Sequence, residues 1–142
     1  MAKRPNQRLK LLYLAKIMLR LTDDEHGLQV EQIINELAKY DIAAERKSIY
    51  SDLEALQLFG IDIEKKHIGR YVYYCVGNRN LELAELKLLV DAVQSSKFIT
   101  EKKSSQLIEK LERYVSRYEA KQLNQQVYVH GRIKTMNESI YY

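Results

Sequence analysis

Between Leu56 and Ile61 the apolar period of the chain changes from that of a helix to that of a strand, and few architectures accept that change in so short a space. In ERKSIYSDLEAL, residues 45–56, Ile49, Leu53 and Leu56 recur at i, i+4 and i+7, which is one face of a helix. Directly afterwards FGIDIEKK and RYVYYCV flank the loop HIG. Ile61 and Ile63 alternate on the first segment, and Tyr71, Tyr73 and Cys75 alternate with Val72, Tyr74 and Val76 on the second. This predicts two strands around a three-residue Gly loop.

Upstream, residues 8–21 carry Leu11, Leu14, Met18 and Leu21 on one helical face, with Leu9, Leu12 and Tyr13 beside it. So wide a stripe predicts a helix buried on more than one side. The stretch TDDEHG closes it, and a second pattern starts near Val30 with Ile33, Ile34, Leu37 and Ala38 facing inward. That helix should end near Tyr40, since DIAA leaves room only for a tight turn before the third. Two short helices across a tight turn, behind a longer first helix and ahead of a hairpin, are the grammar of a winged helix-turn-helix. Residues 1–80 are its expected extent, with the third helix at about 45–57 and the wing at 62–76.

The charge distribution says more than its sum. The 142 residues carry a formal charge of only +4, yet residues 1–21 contain Lys3, Arg4, Arg8, Lys10, Lys16 and Arg20 and no acid. A solvated helix face is the commoner meaning of scattered charge; the complete absence of acids points to an anionic partner. With Ile49, Leu53 and Leu56 turned inward, Arg46, Lys47, Tyr50 and Ser51 fall on the outer side or its margins, with Ser48 near the helix start. Free N–H groups and the positive dipole end at that start suit phosphate oxygens, and the face has the character that a recognition helix offers to a major groove. Lys65, Lys66, His67 and Arg70 are expected to cluster at the hairpin tip, along the DNA backbone. Most of the hairpin tyrosines are expected to pack it onto the helices.

Other chemistry finds no foothold. Cys75 is alone, and His26, His67 and His130 have no ligand-spaced partner, so neither a disulfide framework nor a metal site is expected. Asp23, Asp24 and Glu25 read as a solvated cap. Phosphate loops, nucleophile elbows and HExxH are absent, so no catalytic residue, enzyme activity or cofactor is expected. Asn137-Glu138-Ser139 matches a glycosylation pattern that carries no weight without a secretory signal, and MAKRPNQ lacks the apolar core of one. The apolar run 9–21 is too short to span a bilayer. A reducing compartment, the cytoplasm, is expected, with no membrane partner.

In the second half, Leu83, Leu86, Val90 and Val93, and then Leu107, Leu111, Tyr114 and Tyr118, predict a helical hairpin around SSKFIT. Leu88, Leu89, Ile108 and Val115 give it a second apolar flank that one small hairpin cannot bury. Val127, Val129, Ile133 and Ile140 continue into an extended C-terminal tail. A homodimer through residues 83–142 is the economical cover for this surface. The expected fold is thus mainly α with a small β-hairpin: a winged helix-turn-helix, then a helical connector over 81–142.

The segments RLKLLYLAKIML, ERKSIYSDLEALQLFGIDI, LELAELKLLVDAVQSSKFITEKKS and QVYVHGRIKTMNESIYY, in this order, make the chain resemble the bacterial WYL-domain transcriptional regulators, whose winged helix is grouped with DeoR-type repressors. The likeness runs through almost the whole chain. It implies an N-terminal winged helix, a helical connecting region and a further WYL domain that senses an effector ligand, expected to begin about where Tyr142 ends the sequence. With the basic faces of the third helix and hairpin, this makes double-stranded DNA, read sequence-specifically, the expected partner, and two-fold pairing of the chain would imply a palindromic operator. Two departures stand out: Ser51 precedes Asp52 where many relatives carry Arg, and the WYL signature is missing. The alternative expectation is a winged helix used for protein assembly, without specific DNA binding.

Overall fold

The computed structural model of the protein describes residues 7–130. Among them are six α-helices and one antiparallel two-stranded hairpin, so the chain is mainly α with a small β element. It divides into two units, Met1–Arg79 and Asn80–Tyr142. Lys3 and Arg4 lie outside the described residues, as do Ile133 and Ile140. No helix among the described residues is long and apolar enough to cross a membrane.

The first unit contains α1 (Lys10–Leu21), α2 (Val30–Ala38), α3 (Arg46–Phe59), β1 (Ile63–Ile68) and β2 (Tyr71–Val76). Its core takes Leu14, Ile17 and Met18 from α1, Val30, Ile33 and Leu37 from α2, and Ile49, Leu53 and Leu56 from α3. Burial of α1 is narrower than its stripe predicts. At about 100° per residue, Leu12 stands nearly opposite the buried arc and is 68% exposed; Leu9 and Leu11 are exposed with it. Tyr13 is the flank residue that does find cover, stacked 4.3 Å from the Tyr40 ring. On α2, Ala38 is exposed because the last turn rotates it past the contact with α1.

The turn between α2 and α3 is closed by the helix C-terminus itself. Asp41 adopts φ 60°, the Asp41 N–H donates to Ala38 O at 3.0 Å, and the Ile42 N–H donates to Leu37 O at 3.1 Å. This paired pattern is a Schellman ending, and its accompanying apolar contact is supplied by Ile42, fully buried beside Leu37. One residue in the left-handed region thereby reverses the chain and drops a side chain into the core.

The hairpin register pairs Ile63 with Val76 and Ile68 with Tyr71, which leaves Gly69-Arg70 as a two-residue turn in place of the three-residue loop predicted at HIG. Gly69 has φ 61° while Arg70 does not, the II′ pattern whose twist matches the strands. The wing is attached to the end of α1 and the loop that follows it by a backbone pair and a side-chain hydroxyl. Leu28 exchanges two 2.8 Å hydrogen bonds with Tyr74, and the buried Thr22 hydroxyl donates to Met18 O at 2.6 Å while accepting from the Val76 N–H at 2.9 Å. Gly27 is required by this closeness, since a Cβ there would stand 2.8 Å from Tyr73 Cβ.

The second unit contains α4 (Leu83–Ser95), α5 (Glu101–Glu112) and α6 (Arg117–His130), so the predicted second arm of the helical hairpin is two helices. The break shifts the helical phase. Val115 is fully buried where Tyr114 and Tyr118 were expected, and Leu107 is exposed. Ile108 and Val115 pack with Leu86, Val90, Ala120 and Leu123 in the unit's own core, so only Leu88 and Leu89 remain of the surplus flank. Val127 and Val129, expected in an extended tail, fall within α6.

Ile42→Ala should lower unfolding free energy by about 2–5 kcal/mol, because it empties a fully enclosed site. Leu12→Ala, opposite the core, should change it by less than about 0.5 kcal/mol. Urea denaturation followed by circular dichroism compares them; equal losses would show that α1 is buried all round.

Candidate nucleic-acid interface

Helix α3 begins at Arg46 and seats Ile49, Leu53 and Leu56 in the core, so the 3.6-residue period turns Arg46, Lys47, Tyr50 and Ser51 to the outside. All four are exposed, as the sequence predicts. Ser48 is different. Its hydroxyl donates to Glu45 O at 2.8 Å and accepts from Lys10 Nζ at 2.8 Å, so it belongs to the helix start and to α1. Lys10 Nζ also stands 2.7 Å from Asp52 Oδ2, both side chains being largely shielded from water. One ammonium from α1 therefore holds two successive turns of α3 in place.

Part of the acid-free run at the start of the chain is explained by the fold itself. Lys10 serves Ser48 and Asp52, and Lys16 lies over the Tyr40 ring at 5.5 Å. Lys10 was missed as a positioning residue because its two partners are 38 and 42 positions away.

The four basic wing residues do not gather at the tip. The short turn leaves Lys65, Lys66 and His67 within β1, and the strand period of two sends neighbours to opposite faces. Lys65 and His67 share the face of Tyr74 and Val72. Lys66 shares the other, where its ammonium donates to Asp24 O and ties the wing to the loop after α1. Only Arg70 occupies the turn, its guanidinium 5.2 Å from the Tyr71 ring centroid.

Lys65 and Arg70 meet Arg46 and Tyr50 across a cleft of about 340 Å³ between α3, the start of α2 and the wing. Its lining includes three cations and one carboxylate, Glu31, whose Oε1 is 3.5 Å from Arg46 Nη1 with both side chains mostly in solvent. Such a pair is worth well under 1 kcal/mol and leaves Arg46 available. Tyr74 forms the back wall, its hydroxyl pushed above its ordinary range by burial and by Tyr50, against the opposing pull of Arg46. Tyr50 lies tilted to it, ring centroids 6.4 Å apart. On the far face of the wing, burial likewise pushes the Cys75 thiol up, against Lys66, leaving a neutral and enclosed sulfur.

His26 Nδ1 lies 2.8 Å from Asp23 Oδ1, within the loop that Lys66 grips. Among the described residues no three His, Cys, Asp or Glu side chains are grouped to hold a metal ion. No family model, curated protein or solved structure matches the chain.

Lys10→Met keeps the apolar stem but leaves the shielded Asp52 carboxylate without its ammonium, and should cost about 1–3 kcal/mol. Asp52→Asn should cost less, and the double variant less than the sum of the two. Additive losses in denaturant titrations would show that the pair does not act as one tie.

Proposed function

We propose that the chain is a sequence-specific DNA-binding transcriptional regulator, with α3 in the major groove and the wing against the adjoining backbone. The observation that carries this is the convergence of Arg46, Lys65 and Arg70 on one open cleft beside the exposed Lys47, Tyr50 and Ser51. A helix N-terminus and two cations on a ribbon present positive charge to two phosphate rows, while the outer face of α3 carries donors for base edges. Ser48 and Lys66 act within the fold, and the reading gives neither a contact to DNA.

The expected operator is palindromic, read by two copies of the chain. Leu88, 71% exposed, and the neighbouring Leu89 offer apolar surface on α4 that a second copy would cover. Pairing across a two-fold axis would set the two α3 helices about 34 Å apart, or a multiple of it. Sedimentation over a wide concentration range should show a dimer that Leu88→Glu converts to monomer; a monomer throughout removes the palindrome from the proposal.

A second reading has one observation in its favour. Leu58 and Phe59 end α3 at 85% and 83% exposure, a surface suited to an apolar protein partner in an assembly module. Salt separates the two, since phosphate contacts weaken binding with a log-log slope of about −0.9 each and apolar contacts do not.

Arg46→Ala and Lys47→Ala should each leave the fold intact and weaken binding to a duplex selected from a random pool by about 1–3 kcal/mol for a lost base contact. A lost phosphate contact would weaken all sequences alike. Neutralising Lys65 and Arg70 together should reduce the salt slope by about 2 with base preference retained. Gel-shift titrations at several salt concentrations read all of these, and unchanged affinity in both α3 variants removes the assignment.

A further inference from the structure

We propose that the tip of the wing is an apolar wedge that enters the minor groove and kinks the DNA, an inference that rests on the DNA-binding reading above. Ile68 and Tyr71 are the last cross-strand pair before the turn, so their side chains stand side by side on one face of the ribbon. The fold uses neither in its core: Ile68 is 63% and Tyr71 47% exposed. Between them a Cβ built on Gly69 would meet nothing within 4 Å, so the tip stands clear of its surroundings. Arg70 Nη2 donates to the Tyr71 hydroxyl at 3.1 Å, which keeps a cation at the same end as the apolar pair.

An apolar tip with the Arg70 cation at the same end, and Lys65 further along the strand on the other face of the ribbon, has the chemistry of the minor groove, with phosphates on both walls and stacked bases at the floor. Ile68 is β-branched and stiff at χ1, so it can be pressed between base steps without first collapsing onto the ribbon. Direct reading in that groove separates little beyond A·T from G·C, so the wedge selects steps that unstack easily, pyrimidine–purine steps such as TA above all. A lipid surface offers related chemistry. The wing cations, however, converge with Arg46 on the cleft, which suits a duplex held between α3 and the ribbon.

The test uses the full chain and a duplex it selects from a random pool, with donor and acceptor dyes on the DNA ends and permanganate to mark unstacked thymines. A kink of roughly 20–90° and one reactive step beyond the bases protected by α3 are expected. Ile68→Ala should straighten the DNA and silence that step while selecting the same α3 sequence; Ile68→Phe should keep both signals. A mismatch placed at the step removes the unstacking cost, so it should tighten wild-type binding by roughly tenfold and Ile68→Ala binding by less than about twofold. Straight DNA under the wild-type chain, with Arg46→Ala still losing affinity, overturns the wedge and leaves the DNA-binding reading standing. Failure to select any duplex brings down both. Ile68-dependent sedimentation with vesicles of about three parts phosphatidylcholine to one part phosphatidylserine, alongside straight DNA, assigns the tip to membranes and overturns the wedge.

Discussion

A two-stranded hairpin is at best marginally stable by itself in water, so everything the wing does depends on what fastens it to the helices. Two attachments achieve this, one between backbones and one through a side chain. Leu28 adds a single-residue third strand to Tyr74, and the enclosed Thr22 hydroxyl joins the last turn of α1 to Val76. Arg79 Nη2 closes the same corner on Thr22 O at 2.6 Å. Because Thr22 is fully buried, its hydrogen bonds face no competition from water, and losing either would strand a polar group in the core. Gly27 lets the connecting loop lie against Tyr73 closely enough for both attachments to form.

With the wing so held, the position of α3 follows from two further constraints. Its apolar face is set by Ile49, Leu53 and Leu56, and its rotation and slide are set by Lys10 reaching Ser48 and Asp52. The Schellman turn at Asp41 fixes where α3 can begin, since Ile42 must reach the core before the chain turns outward. The cleft between α3 and the ribbon results from these contacts: Tyr74 is buried at its back by the packing of β2, while Arg46, Lys65 and Arg70 keep their charges in water at its rim. At the cleft, burial thus falls on a tyrosine that stays neutral, while the three cations at its rim are exposed.

Much of this was legible in the chain because it depends on local period. The inner faces of α2 and α3 and the outward set Arg46, Lys47, Tyr50 and Ser51 follow from 3.6-residue spacing alone. Where local period and structure differ, a second short-range signal interrupts the period or the partner is distant. The break between α5 and α6 has such a signal: Ser116 accepts from the Glu119 N–H at 3.2 Å, and Ser-x-x-Glu before an apolar run marks a helix start. Treating Leu107 to Tyr118 as one helix put Tyr114 inside and Val115 on a flank, the reverse of what the break produces. The wing cations were misplaced for a similar reason, since a one-residue difference in loop length changes which side chains are at the tip and which are in the strand.

The sequence by itself determined the three helices and the hairpin of the first unit, and the residues that face away from α3's core side. Those properties arise between residues a few positions apart, where backbone geometry leaves little choice. Only the tertiary structure decided which charges remain for a partner. Lys10, Lys16 and Lys66 look the same in the chain as Lys47 and Lys65, yet the first three are taken up by Asp52, the Tyr40 ring and Asp24 O. A lysine's reach is long and its partner is chosen by proximity in space, so its role is settled by packing between segments that the local pattern does not relate.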